Sequence, residues 1–283
     1  MSQNKEIKTR LKTVKNISKV TKTMQLISAT RMKKAINRVN DSLPYSTALN
    51  NLINQLGTVD NYLNEYMQQH SSVNNIAILV IGPSKGFVGG MLSTLNLELA
   101  HHIRDLKLQF PNAILTGISV QKMGLKILNS CGINSAYHFG NTYEGLSARE
   151  LVPLYTLLLD GFKSEKFDLV YLCYMNFNSA LSNKAIMIQL LPVHLPNVKE
   201  TLNVNDKLEP SAPEVVDFLI KEYFEKQILN ALLSSNATEH SVRMLAMKNA
   251  TDNAQNLIQE LTLSYNKDRQ TKITEQIIEV SGY

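Results

Sequence analysis

The chain has no tryptophan, only two cysteines, and almost no glycine or proline outside its middle. Cys131 and Cys173 lie far apart in apolar surroundings, so neither a disulfide framework nor a zinc site can be built from them. They read as small buried hydrophobes in a reducing compartment. No apolar run approaches the ~20 residues that a membrane span needs. The N-terminus has no apolar core followed by a small-residue cleavage site, which excludes a signal peptide. It is Lys-rich, but its helical pattern runs unbroken past residue 30, unlike a transit peptide, and the expectation is a cytoplasmic bacterial protein. Acid is also scarce where base is dense. Residues 1–40 hold eleven Lys or Arg and one acid, Glu6, a local charge of +10 against +5 for the whole chain. Positive charge this concentrated is suited to an acidic partner or surface.

The missing helix breakers divide the chain. Nothing before Pro44 interrupts a helix, ten of the twelve glycines fall between Gly82 and Gly161, and neither Gly nor Pro occurs between Pro213 and Gly282. Gly costs about 1 kcal/mol and Pro about 3 kcal/mol in a helix interior. The C-terminal stretch of about 68 residues can therefore be one helix roughly 100 Å long, which needs a partner or a supercoil. Ile7, Leu11, Val14, Ile17, Val20, Met24 and Ile27 follow one another at three- or four-residue steps. Met247, Ala250, Ala254, Leu257 and Leu261 form a heptad seam, and Ile273, Ile277 and Val280 resume it. The terminal segments are thus expected to be coiled-coil mates, parallel or antiparallel. Pro44 begins a new helix or kinks a continuing one, and residues 45–56 are again helical up to Gly57.

The middle is different. NIAILVIG (75–82), AILTGISV (113–120), DLVYLCYM (168–175) and KAIMIQLLPV (184–193) are short apolar runs that read as buried strands. Helical patterns lie near 91–107, 121–131 and 147–162. Alternating strand and helix predicts a small α/β domain with a parallel sheet. Residues 194–212, with Pro196 and Pro210, form a connector. The expected units are 1–58 (N-terminal helix), 74–196 (α/β domain) and 209–283 (C-terminal helix).

Few residues suggest chemistry. GPSKGFVGG (82–90) follows a strand and precedes a helix, where a phosphate could sit. It is neither GxxxxGK[ST] nor GxGxxG, and Lys85 lies inside the loop, so the plainer interpretation is a tight turn with Gly at positive φ and close backbone packing. His101 and His102 point about 100° apart on a helix and share no metal, while His70, His138, His194 and His240 have no Cys or carboxylate at ligand spacing. The serines and threonines of 234–241 and 262–281 have no His–acid pair tied to them. The basic helix is left with two functions: binding nucleic acid, or docking on an acidic protein surface.

Two stretches carry a resemblance. IKTRLKTVKNISKVTKTMQLISATRMKKA (7–35) is similar to a basic helix with I-x-K-[AT]-M and then [AS]-[AST]-[KR]-M. TEHSVRMLAMKNATDNAQNLIQELTLSYNKDRQTKITEQIIEV (238–280) resembles E-H-x-x-R-M-x-A-M-x-x-A-x-x-N-A followed by N-x-x-R-Q-x-x-I-T-x-E. Both patterns resemble those of the γ subunits of F-type ATP synthase, and the likeness extends over essentially the whole chain. In the middle, Pro83-Ser84-Lys85-Gly86-Phe87-Val88-Gly89-Gly90 departs from the family's S-D-[RK]-G-L-x-G-G. It loses an acid, and with it any polar contact that the acid makes. No chloroplast-type cysteine insert is present.

The resemblance implies a long antiparallel coiled coil of the terminal helices plus a small Rossmann-like α/β domain with a mostly parallel sheet. It implies a rotating central stalk with no catalytic residue, metal or cofactor of its own, coupling ion flow to ATP chemistry in an α3β3 ring. Further partners are the ε subunit and the c-ring, with no nucleic acid and no membrane insertion. The implied place is the cytoplasmic face of the bacterial inner membrane. Matched to the motifs, Met24 faces acidic loops of β, and Arg269 and Gln270 make polar contacts with β. Lys8, Lys12, Lys15, Arg31, Lys33 and Lys34 supply electrostatic contacts. Ile273, Ile277 and Val280 sit in an apolar bearing at the shaft tip or belong to the coiled-coil core.

Overall fold

A computed structural model of the chain describes residues 2–56, 65–140, 148–180, 182–193 and 211–282. Gly57, the connector 194–210 with Pro196 and Pro210, and His194 lie outside them. The elements in chain order are α1 (Ser2–Leu56), a 3₁₀ turn at Glu65–Met67, β1 (Asn75–Ile81), α2 (Met91–Gln109) and β2 (Ile114–Val120). There follow α3 (Lys122–Ser130), β3 (Ser135–Phe139), α4 (Ala148–Lys163), β4 (Leu169–Phe177), β5 (Asn183–Leu191) and α5 (Ala212–Ser281).

The strands form one sheet in the order β3-β2-β1-β4-β5. Every pairing is parallel except β4 with β5, which run antiparallel across a short connection. The edge strand β3 is absent from the sequence reading. Its five residues, SAYHF, form no apolar run, because an edge strand with one covered face need not be apolar throughout. β1 is apolar at every position after Asn75 because both its faces are covered. Ala77, Leu79 and Ile81 meet α4 and the first half of α5 through Leu154, Leu158, Phe162, Ile220, Phe224 and Ile228. Ile76, Ile78 and Val80 meet α2 and α3 through Leu95, Leu99, Ile127 and Leu128.

α1 and α5 are each one continuous helix, and they pair antiparallel. The hydroxyls of Thr21 and Thr251 meet at 2.8 Å. Further down, the Asn230 side chain bridges Ser42 (3.2 Å) and Ser46 (3.0 Å). Thr21–Thr251 and Ser42–Asn230 are equally spaced along both helices, so they fix a single register. Pro44 lies inside α1 on its exposed face and the helix continues through it, which decides between the two expectations for that residue.

The seam of α1 differs from the expected stripe. Val14, Thr21, Ser28, Ala35 and Leu49 are buried at seven-residue intervals, with Ser42 half-buried in the same series. A second series (Leu11, Ser18, Gln25, Met32, Val39, Ser46, Ile53) is half-buried or buried. This is a strict heptad, which keeps one face on the partner of a left-handed supercoil. Ile17, Val20 and Ile27, expected in the seam, are exposed instead: Val20 is 58% exposed against 8% for Val14. From Leu11 the apolar residues step by three to Val14, Ile17 and Val20, and each such step falls about 60° short of a full turn. The apolar stripe therefore walks off the seam, and small hydroxyl and methyl side chains take its place there. On α5, Met247 and Ala254 are buried and Ala250, Leu257 and Leu261 half-buried, as the heptad predicts.

Candidate functional site: the shaft surface and its seat in the sheet

Of the residues singled out in the sequence, Lys8, Lys12, Lys15, Arg31, Lys33, Lys34, Arg269 and Gln270 are exposed, and Met24 is half-buried. The antiparallel register gathers them by height. It brings Arg269 and Gln270 of α5 to the level of the first residues of α1, so they cap the same end of the shaft as Lys8 and Lys12. Met24 and the Arg31–Lys34 cluster lie further down, toward the α/β domain. The half-exposed Ile17, Val20 and Ile27 lie among these basic residues on α1, so the outer surface of the shaft is both basic and apolar.

The same register carries Ser2 opposite the neighbourhood of Gln270. The last turns of α5 consequently run past α1 as a single helix. Ile273, Ile277, Ile278 and Val280 are exposed on it, Val280 at 81%. Ile273, Gln276, Ile277 and Val280 line one shallow, mostly apolar groove. Among the described residues these three sequence-predicted positions are exposed rather than packed in the seam.

Chain order reverses between β1 and β4, the switch point at whose strand ends open α/β sheets receive ligands. Here α5 crosses that point. Ser235 Oγ accepts the Met175 N–H (3.0 Å) and Ser234 Oγ accepts the Phe177 N–H (2.7 Å), both at the end of β4. Ser241 Oγ donates to the Ala180 carbonyl (2.7 Å). At the end of β1, the loop 82–90 turns onto Glu239 and Arg243. Ser84 donates its backbone N–H (2.9 Å) and its hydroxyl (2.6 Å) to the Glu239 carboxylate. Arg243 Nη2 donates to that carboxylate (2.6 Å) and to the Lys85 carbonyl (3.1 Å), while Nε donates to the Gly86 carbonyl (3.3 Å). The Glu239 side chain is 3% exposed and that of Arg243 9%. Two charges so buried are held by each other and by the loop's polar groups, as buried ions must be.

The loop is a tight turn, though not by the expected means alone. Gly89 has φ +50, but Phe87, which has a side chain and is 71% exposed, also sits at φ 61. Gly82 is required by close approach: a Cβ there would come within 2.3 Å of the Gly124 backbone nitrogen. Ser84, where the acid is lost from the loop, makes a polar contact of its own with Glu239. Sequence inspection missed the roles of Glu239 and Arg243. Their i, i+4 spacing within EHSVR was the available signal, but only the fold brings Ser84 to them.

Other sequence candidates fall into place. His101 and His102 turn to their own helical neighbours, Asp105 (3.2 Å) and Glu98 (3.7 Å). His70 and His138 each find a distant polar partner: His70 Nδ1 donates to Asp168 (2.9 Å), and His138 meets the buried Ser119 hydroxyl at 2.9 Å. Both cysteines are free; burial pushes the Cys173 thiol up to about 12 and raises Cys131 as well. Among the described residues no group of His, Cys, Asp and Glu could hold a metal ion, and no helix is long and apolar enough to cross a membrane.

A family model described as ATP synthase matches residues 3–282. The ATP synthase gamma chain of Delftia acidovorans is 32% identical over 99% of this chain and 98% of its own length. That of Chloroflexus aurantiacus is 30% identical over 100% and 98%. The chain belongs to the ATP synthase gamma-chain family. The fold agrees with solved ATP synthase structures at low identity. The rotor of the Euglena gracilis mitochondrial ATP synthase superposes with a TM-score of 0.64 at 16% identity, over 95% of this chain and 98% of that one. A Tetrahymena thermophila central-stalk chain gives 0.55 at 18%, over 82% and 99%.

Proposed function

We propose that this chain is the rotating central stalk of an F-type ATP synthase, coupling ion flow through a membrane rotor to nucleotide chemistry in a surrounding α3β3 ring. The observation that carries this proposal is the shaft: two long antiparallel helices, joined by a heptad seam, whose outer surface is both basic and apolar. The upper shaft enters the ring, where Lys8, Lys12, Lys15, Met24, Arg31, Lys33, Lys34, Arg269 and Gln270 meet the stator. Ile273, Ile277 and Val280 turn in an apolar bearing. The α/β domain sits at the membrane end with the ε subunit and the c-ring. The protein is peripheral on the cytoplasmic face of a bacterial inner membrane, and the catalytic groups belong to the ring.

The physics suits a rotor. Exposed charge pairs contribute only about 0–1 kcal/mol each, so many can be exchanged during a turn without any orientation becoming a trap. A shaft with unequal sides presents a different surface to each of the surrounding subunits. It acts on them as a ligand does, shifting each toward the conformation it contacts best. The closed heptad seam resists bending and sliding of one helix on the other.

Co-expression with α and β subunits tests the proposal. A stoichiometric complex with α3β3, and ATP hydrolysis that drives rotation of a probe fixed to the α/β domain, is the expected result. Salt-sensitive binding to duplex DNA without retention of α3β3 overturns it.

A further inference from the structure

We propose that the loop 82–90 is an anion seat whose resident anion is the chain's own Glu239 carboxylate, and that this internal ligand locks the α/β domain onto the shaft. Three donors converge on that carboxylate: the Ser84 N–H at 2.9 Å, the Ser84 hydroxyl at 2.6 Å and Arg243 Nη2 at 2.6 Å. A backbone N–H, a hydroxyl and a guanidinium aimed at one point are the means by which proteins bind carboxylate and phosphate groups. The seat follows β1 and precedes α2, beside the switch point, where an open α/β domain receives a free anionic ligand. In this chain the anion arrives on α5, which is tied at the neighbouring strand end by Ser234 and Ser235. Close packing completes the seal: a Cβ on Gly89 would touch Val242 of α5 at 3.3 Å.

Two consequences follow. The crevice is closed to free nucleotide or phosphate because its charge requirement is already met. The domain and α5 are joined by several side-chain bonds at the ends of two strands, so twisting one carries the other. Glu239 is a positioning residue in this account. The seat is independent of the rotor proposal, because its test needs neither stator nor membrane.

The experiment uses the full-length chain and reads hydrogen exchange of the backbone amides in loop 82–90. Glu239→Ala vacates the seat. Exchange at the Ser84 amide is expected to rise by about tenfold or more, the worth of one lost charge-assisted hydrogen bond. Added acetate or inorganic phosphate should restore protection in this variant, whereas acetamide and matched sodium chloride should not; neither anion should change the wild type. Glu239→Gln keeps an acceptor oxygen without the charge, so its loop should exchange faster than wild type and respond to no anion. Wild-type protection in Glu239→Ala, or equal rescue by acetamide or chloride, overturns the proposal. Should Glu239→Ala fail to fold, wild-type loop exchange in Glu239→Gln overturns it in the same way, and faster exchange supports it.

Discussion

Replacing Val14 and Ile17 separately by Ala distinguishes the seam of the shaft from its apolar stripe. Val14 is 8% exposed in the seam, and the register sets Ile258 of α5 opposite. Ile17, one turn on, is 49% exposed. Val14→Ala removes two buried methyl groups. At about 0.8 kcal/mol for each buried carbon, with a further term for the incompletely collapsed gap, the loss is about 1.5–2.5 kcal/mol. Ile17→Ala removes more carbon, but from a half-solvated site, and should cost no more than about 0.5 kcal/mol in the isolated chain. The end of a two-helix shaft can open without the rest of the protein unfolding. The appropriate assay is therefore native-state hydrogen exchange of the α1 amides, resolved along residues 8–30. Val14→Ala should lower protection there by roughly tenfold or more, and Ile17→Ala should leave it within about twofold. Equal losses in the two variants would refute the heptad assignment. The ordering should change in a complex with α3β3 if the stripe is the stator-facing surface, because Ile17 would then be buried by the partner.

Met24→Lys adds a cation to a stretch that already carries Lys22 and Arg31; in the assembled synthase it should lower proton pumping per ATP hydrolysed while leaving assembly intact, and an unchanged pumping ratio would sink this assignment. Burial pushes the Asp168 carboxyl up, but the His70 hydrogen bond and the Asn74 and Asn75 N–H groups outweigh it, so its folded pKa is lowered. The stability it contributes is complete above the ordinary aspartate value of about 3.9 and is lost as the pH falls through the lower folded value. Asp168→Asn should therefore cost about 1–3 kcal/mol near neutrality, with the gap in urea midpoint from wild type closing toward pH 2–3. Gly82→Ala drives a methyl against the Gly124 backbone, where neither chain segment can yield cheaply; a loss of at least about 3 kcal/mol, read as a fall in melting temperature, is expected.

The large divisions of the chain were legible because they rest on local chemistry. A helix as long as α5 is announced by the absence of Gly and Pro between Pro213 and Gly282, and four of five strands by dense apolar runs. Pro44 was undecidable from sequence. A proline within a helix costs one hydrogen bond and some crowding, and a partner helix can offset that without leaving a mark in the local residues. The seam was misplaced over Ile17–Ile27 for a related reason. Hydrophobicity alone points to Ile and Val, yet two helices that approach closely need small side chains between them, so Thr21, Ser28 and Ala35 are buried where the larger residues are not. Apolar residues then remain for the outside, which is the opposite of what an isolated globular domain does with them.

The seat at Glu239 was illegible for a deeper reason. In sequence, GPSKGFVGG and EHSVR stand about 150 residues apart, and each has an ordinary local explanation: a tight turn, and an i, i+4 ion pair on a helix. Their combined meaning depends on α5 lying across the ends of β1 and β4, a placement that no local period encodes. The loop's resemblance to a phosphate site was therefore physically sound in one respect and misleading in another. Its donors do hold an anion, but that anion is covalently part of the chain. A covalently supplied carboxylate needs no free-ligand concentration and loses little further entropy on seating, so it outcompetes any dilute phosphate for the same donors. An α/β domain whose crevice holds a carboxylate of its own shaft has exchanged the capacity to bind for the capacity to grip, as the proposed rotor requires.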